Sequence, residues 1–281
     1  MVPQSGIKPF LRWAGGKRWL APLLRTLMPQ SVGTYIEPFL GSGAIYFDCP
    51  RSTAILSDTN EELIRTYEAI RDDWHGVADL LQQHKALHCS DHYYAERARV
   101  PAGGADLAAR FLYLNRTCWN GVYRVNRNGQ FNVPLGSPRN VVLPTDNFQA
   151  VAEQLQHATF IIGDFSVSVA RAGQGDLIYA DPPYTVRHNT NGFVKYNQQL
   201  FTWSDQERLR DSLFSAVERG ASFVLSNANH ESILELYSGA CTVLPFSRGS
   251  LIAGDRSKRG TFSELVITSF PVTGVEDERI L

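Results

Sequence analysis

The chain has 281 residues, of which 43% are hydrophobic and 20% charged, with a formal net charge of −1. This length can bury a large core, and the composition is that of an ordinary globular protein. No apolar run approaches the ~20 residues that span a bilayer, and the first residues lack a signal-peptide core. The four cysteines, Cys49, Cys89, Cys118 and Cys241, show no paired spacing. A disulfide framework or zinc site is therefore not expected, and the reading is a cytoplasmic protein with no membrane segment and no metal.

Charge is unevenly placed. Residues 1–36 carry Lys8, Arg12, Lys17, Arg18 and Arg25 with no acid, and residues 107–145 carry Arg110, Arg116, Arg124, Arg127 and Arg139, again with none. The intervening segment 37–106 is acidic on balance. Two basic segments on a near-neutral chain predict one positive face suited to a polyanion.

In chain order, Thr34 to Glu37 reads as a short strand and Pro38-Phe39-Leu40-Gly41-Ser42-Gly43 as a tight loop opening a helix. Ala54 to Ser57 is a second strand ending at Asp58, and Asn60 to Arg71 is helical, with Leu63, Ile64 and Tyr67 on one face. Helices are expected over about 76–87 and 106–115, then a loop from Arg116 to about Pro144 rich in Asn, Gly, Arg and aromatics. Alternation resumes with helix 148–157, strands 159–162 and 176–180, helix 205–219, strand 222–226 and a final strand 262–270. This βα alternation predicts a mostly parallel, Rossmann-like α/β sheet with helices on both faces. The stretch 59–143 interrupts it as a mostly helical insertion carrying a β-hairpin, leaving 1–58 and 144–281 as the sheet domain.

Gly41-x-Gly43 after a strand permits close backbone approach of a ligand to a helix start, and Asp58 ends the next strand, where an acid commonly receives a ribose diol. The third glycine of the dinucleotide pattern is absent, since Tyr46 stands three residues after Gly43. That favours a nucleoside cofactor without a pyrophosphate, such as S-adenosylmethionine, over NAD. Arg12-Trp13-Ala14-Gly15-Gly16-Lys17 adds an aromatic and a cation able, with an acid, to clamp a zwitterionic amino-acid tail. A helix-entry turn with a packed tryptophan is the plain alternative.

Asp181-Pro182-Pro183-Tyr184 follows the apolar run Leu177 to Ala180. Prolines fix φ and contribute no N–H, which leaves stiff carbonyl acceptors beside a carboxylate and a stacking ring. An exocyclic amine on a nucleobase fits that set; a strand ending in a Pro-Pro turn is the alternative.

Taken together, these blocks resemble the Dam-type DNA adenine-N6 methyltransferases of the alpha group. The resemblance rests on Leu11 to Lys17, Glu37 to Gly43, Asp58-Thr59-Asn60, Tyr113 to Arg116, Asn120 to Arg124, Gln130 to Pro134 and Asp181 to Tyr184, in that order. It implies that Trp13, Lys17, Asp58 and Asp181 bind S-adenosyl-L-methionine, that Glu37, Phe39, Gly41 and Gly43 pass near its methionine portion, and that Asp164 and Phe165 surround its adenine. It further implies that Asp181 and the carbonyl of Pro182 accept the two N6–H bonds of a flipped adenine while Tyr184 stacks on it. The proton released from N6 goes to Asp181 or to water, and the sequence leaves both open.

For DNA, the resemblance implies that Arg124 reads guanine, Trp119 acts as a wedge, Asn120 meets phosphate, and Val122 and Pro134 offer apolar contacts. Arg116 and Asn126 are assigned to the same surface. Arg12 stands where relatives more commonly carry lysine for the first guanine of the site. The expected substrate is double-stranded DNA, with GATC the favoured target and a monomer the expected state. Methylation of RNA or of a protein amide, an NAD-dependent oxidoreductase, and a DNA-binding module without turnover are the rival readings. The loop 249–260 is expected near phosphates, and His84, His88 and Cys89 are read as a polar helix face rather than metal ligands.

Overall fold

The computed structural model describes residues 6–126, 128–137, 140–187, 201–249 and 261–272. The chain forms two compact units, one of Met1–Gln30 with Leu40–Gly163 and the other of Ser31–Phe39 with Asp164–Leu281. Among the described residues seven strands are hydrogen-bonded in the order β3-β2-β1-β4-β5-β7-β6, a mixed α/β sheet as the alternation predicts.

The first unit holds α1 (Ala21–Leu27), α2 (Ala44–Asp48), β2 (Ala54–Asp58), α3 (Glu61–Leu87), α4 (Ser90–Ala98), α5 (Gly104–Thr117), α6 (Phe148–Leu155) and β3 (Ala158–Ile162). β2 and β3 run parallel, with Leu56 opposite Phe160. Asn60 caps α3 by accepting the Leu63 N–H, and Leu63, Ile64, Tyr67 and Ile70 are buried along one face. The gap expected between two helices is a break inside α3: Asp73 leaves helical geometry, at φ −148° and ψ 61°, and its carboxylate accepts the Gly76 N–H. α3 packs on α5 and α6, so the helical segment and the β2–β3 pair share one core. The compact units therefore do not follow the sequence boundaries 1–58, 59–143 and 144–281.

The second unit holds β1 (Tyr35–Glu37), α7 (Phe165–Val169), β4 (Leu177–Ala180), α8 (Trp203–Glu218), β5 (Ser222–Ala228), α9 (Glu231–Tyr237), β6 (Thr242–Gly249) and β7 (Thr261–Thr268). β1 and β4 are buried throughout, as befits parallel strands covered on both faces. β4 pairs parallel with β1 and with β5, whereas β7 runs antiparallel to both β5 and β6. Thr202 and Asp205 close a reciprocal capping box that starts α8 two residues earlier than its apolar pattern indicates. No helix among the described residues is long and apolar enough to cross a membrane.

The expected hairpin exists in reduced form. Isolated antiparallel bridges join Val125 to Phe131 and Cys118 to Leu135, and α5 runs on to Thr117 before a 3₁₀ turn at Trp119–Gly121. Arg127 and Arg139, and the loop after Gly249, lie outside the described residues.

Candidate active site and DNA-reading loop

In an open parallel sheet a ligand is received beyond the carboxyl ends of the strands, where the strand order reverses. Here the reversal lies between β1 and β4, paired with Ile36 opposite Ile178. Both strands run out into chemistry-bearing residues: β1 ends at Glu37, before Pro38 and Phe39, and β4 leads into Asp181 to Tyr184.

Around Asp181 the polar groups form a connected set. Ser226 on β5 donates to Asp181 Oδ1 at 3.2 Å, and the Tyr179 hydroxyl lies 2.8 Å from the same serine oxygen. The Tyr184 hydroxyl donates to Glu264 Oε2 at 2.8 Å, which fixes the plane of its ring. Burial, then the nearby Asp181 and Glu264 carboxylates, push the Tyr184 phenol well above its ordinary value, so it stays a donor. Buried Glu37 accepts from the Tyr35 hydroxyl at 2.8 Å.

Three rings in this unit pack on one another. Phe39 lies 5.6 Å from Phe165 and from Phe201, and Phe165 and Phe201 are 5.8 Å apart. Asp164, just before Phe165, caps α7 through the Ser166 N–H and pairs with Arg208 at 2.9 Å. Those bonds to the ionised form hold its carboxyl below the usual range against the opposing effect of partial burial.

The first unit carries its own cluster. Gly41 and Gly43 adopt left-handed φ of 48° and 63°. Gly41 N–H donates to Asp58 Oδ2 at 3.1 Å and Asn60 N–H to Oδ1 at 3.0 Å, while burial raises the Asp58 pKa overall. The Trp13 ring lies directly over Gly41: a Cβ added there would come within 2.9 Å of the indole Cδ1. Trp13 stacks on Tyr123 at 5.9 Å, and Lys17 is buried. Within this unit a buried cation, an acid at a strand end and an indole over a glycine make a set of groups that fits an amino-acid-bearing nucleoside.

The segment expected to read DNA is also in the first unit. Arg12 meets it through two backbone bonds with the Asn115 side chain, and a Cβ at Gly121 would fall 2.9 Å from the Arg12 Cβ. Trp119 is 57% exposed and Pro134 is exposed, while Arg124 is oriented by Asn132 Oδ1 at 2.8 Å. Asn120 has the only positive φ of a non-glycine residue among those described, 54°, and turns the chain ahead of Val122. The Asn126 side chain works on the loop itself, accepting from the Asn128 and Gln130 N–H groups and donating to Gln130 Oε1.

Arg116 requires a correction. Expected at the DNA surface, it is fully buried, with its guanidinium bonded to both oxygens of Asp146 at 2.7 Å and to the carbonyls of Phe10 and Val141. All five N–H donors are engaged, leaving none for phosphate. Among the described residues, His84, His92 and Glu96 have ligand atoms within 4.8 Å of one another, a different set from His84, His88 and Cys89. A 3.0 Å bond between the two imidazoles and the Arg99 pairing of Glu96 already satisfy these groups, and His88 instead meets the Tyr113 hydroxyl.

Sequence reasoning missed Tyr179, Ser226 and Glu264, which hold the Asp-Pro-Pro-Tyr segment. The only available signal was the polar pair Ser226-Asn227 closing the apolar strand that follows Asp181 in the sheet.

Comparison with known proteins agrees with this chemistry. The D12 class N6 adenine-specific DNA methyltransferase family matches residues 13–248. The chain is 33% identical to the type II methyltransferase M1.LlaDCHI of Lactococcus lactis subsp. cremoris, over 94% of its own length and 96% of that protein. It is 30% identical to the type II methyltransferase M.MjaIII of Methanocaldococcus jannaschii, over 93% and 99% of the two chains. Identity to the DNA adenine methylase of Escherichia coli is 32%, over 81% and 82%. With that match across most of its length, the chain belongs to the D12 class N6 adenine-specific DNA methyltransferases, enzymes that take their methyl group from S-adenosyl-L-methionine.

Proposed function

We propose that the protein methylates N6 of an adenine flipped out of duplex DNA, within GATC, and that it acts as a cytoplasmic monomer. The observation that supports this most is Asp181, placed by a fully buried strand at the point where the sheet reverses and tethered there by Ser226. Adenine N6 is a poor nucleophile because its lone pair is delocalised into the ring. Asp181 and the carbonyl of Pro182 each accept one N6–H, which localises the pair as the bond to carbon forms. Tyr184, its hydroxyl occupied by Glu264, offers a ring face to the purine. Bound S-adenosyl-L-methionine supplies an electrophilic methyl on a sulfonium. Trp13, Lys17, Gly41, Gly43 and Asp58 in the first unit and Glu37, Phe39, Asp164 and Phe165 in the second are the groups assigned to it.

Reading the DNA falls to residues 59–143 with Arg12: Arg124 and Arg12 to guanines, exposed Trp119 to the gap left by the flipped base, Asn120 to phosphate, and Val122, Asn126 and Pro134 along the loop. Expression in cells lacking adenine methylation, with modified adenines mapped at single-base resolution, tests the target; modification spread over sites other than GATC would reject it. Asp181→Ala should abolish transfer while retaining DNA binding, and wild-type rates in that variant would reject the acceptor role.

A further inference from the structure

Behind Asp181 lie two buried hydroxyls that the reaction as described above does not use. Ser226 is fully buried on β5, and Tyr179 is 1% exposed on β4. Tyr179 and Asp181 are two residues apart and so project to the same side of the chain. β4 and β5 pair with Tyr179 opposite Val224 and Ala180 opposite Leu225, which brings Ser226 alongside the start of the Asp-Pro-Pro-Tyr segment. The result is a chain of two hydrogen bonds, 2.8 Å from the Tyr179 hydroxyl to Ser226 Oγ and 3.2 Å from Ser226 Oγ to Asp181 Oδ1.

Its direction follows from charge. Tyr179 is pushed well above its ordinary value by burial first, then by Asp181, with Glu37 and Glu264 adding to the effect. It therefore keeps its proton and donates to Ser226, and the serine has its single proton left for the carboxylate. The titratable groups that raise Tyr179 and Tyr184 are Asp181 and Glu264 for both, Glu37 for Tyr179, and Tyr179 itself for Tyr184. A hydrogen bond donated to a carboxylate favours its ionised form.

We propose that Tyr179 and Ser226 are positioning residues for methyl transfer: their relay fixes the rotation of the Asp181 carboxylate and holds it ionised, ready to accept an amine N–H. The inference rests on the reading of Asp181 as the amine acceptor. It also explains why buried hydroxyls stand in the carboxyl-terminal halves of two neighbouring parallel strands, where apolar side chains would pack as well.

The test is single-turnover methyl transfer from pH 5 to 9 with saturating DNA and S-adenosyl-L-methionine, using Ser226→Ala, Tyr179→Phe, their double variant, and Asp181→Asn as a reference. Ser226→Ala should lower the neutral rate about 10-fold and move the acid limb of the profile up by about one pH unit. Tyr179→Phe should shift it less, in the same direction. The double variant should be no slower than Ser226→Ala alone, because the tyrosine acts only through the serine. Cofactor and DNA dissociation constants should not change. An unmoved acid limb in both single variants, or losses that multiply in the double variant, would overturn the relay. Should Ser226→Ala lose thermal stability, Tyr179→Phe, which removes one oxygen and no carbon, carries the limb measurement alone. An Asp181→Asn variant that transfers at the wild-type rate defeats the acceptor reading itself, whereas an inactive Asp181→Asn beside an unshifted Ser226→Ala defeats only the relay.

Discussion

Replacing Arg116 separates a structural arginine from a DNA-contacting one. Its side chain is fully buried and Asp146 is 8% exposed, so Arg116→Met strands a carboxylate whose remaining recorded donor is the Leu143 N–H. The carbonyls of Phe10 and Val141 lose their guanidinium donors in the same step. Breaking one side of a buried ion pair costs about 3–5 kcal/mol. At roughly 2–4 °C per kcal/mol for a chain of this size, the melting temperature should fall by about 6–20 °C. Arg116→Met/Asp146→Leu should recover a large part of that loss, since the orphaned charge is gone. Urea unfolding followed by tryptophan fluorescence measures the cost, with circular dichroism checking that both probes report one transition. Arg116→Lys keeps the charge and serves as the control, with a log–log salt slope matching wild type wherever the residue sits. A phosphate-contacting arginine replaced by a neutral residue would lower that slope by about 0.9, so Arg116→Met, assayed below its melting range, should also leave it unchanged. A stability loss under 1 kcal/mol together with a fallen slope would return Arg116 to the DNA surface.

Gly41→Ala places a Cβ 2.9 Å from Trp13 at a left-handed φ of 48°, so the indole must move. We expect S-adenosyl-L-methionine affinity by calorimetry to drop about 10-fold with a stability change of about 1–2 kcal/mol; unchanged affinity would remove Trp13 and Gly41 from the cofactor assignment. Arg124→Ala should relax discrimination at one guanine, costing about 1–3 kcal/mol there, and cognate-to-substituted kcat/KM ratios unchanged from wild type at every position would refute it. Burial holds His84 and His88 below the ordinary histidine value of 6.5. The unfolded chain therefore binds protons that the native one refuses, so stability should fall as pH drops below about 6.5 and level off once the folded groups protonate. A denaturation midpoint flat between pH 7.5 and 5, or a slope that His84→Gln/His88→Gln leaves intact, would contradict that account.

The sheet was legible because burial on both faces writes itself into apolar runs such as Leu177 to Ala180, and because each run ends in a polar residue. Elements without such a pattern escaped. β6 contains Pro245, tolerable only because it lies at the sheet edge, and α4 begins at a cysteine cap that sequence rules do not favour. The site divided along the same line. Asp58 ends β2, Asp181 follows β4 and Gly41 lies in the loop after β1, and each carries recognisable local chemistry. Arg116 looked like its neighbour Arg124, and only the distant Asp146 and Phe10 decide that one is buried and the other exposed. Glu264 meets Tyr184 across 80 residues of chain. No local window contains that pairing.

The ring-on-ring contact between Trp13 and Tyr123 has a thermodynamic corollary. One partner borders the donor's expected seat, and the other belongs to the segment expected to probe bases, both inside a single compact body. Any tightening of one guest by the other must be matched in return, because mutual effects on binding free energy are symmetric. The demethylated product should then lower the dissociation constant of a short oligonucleotide by the same factor by which the oligonucleotide lowers that of the product, and both factors should vanish in Tyr123→Ala.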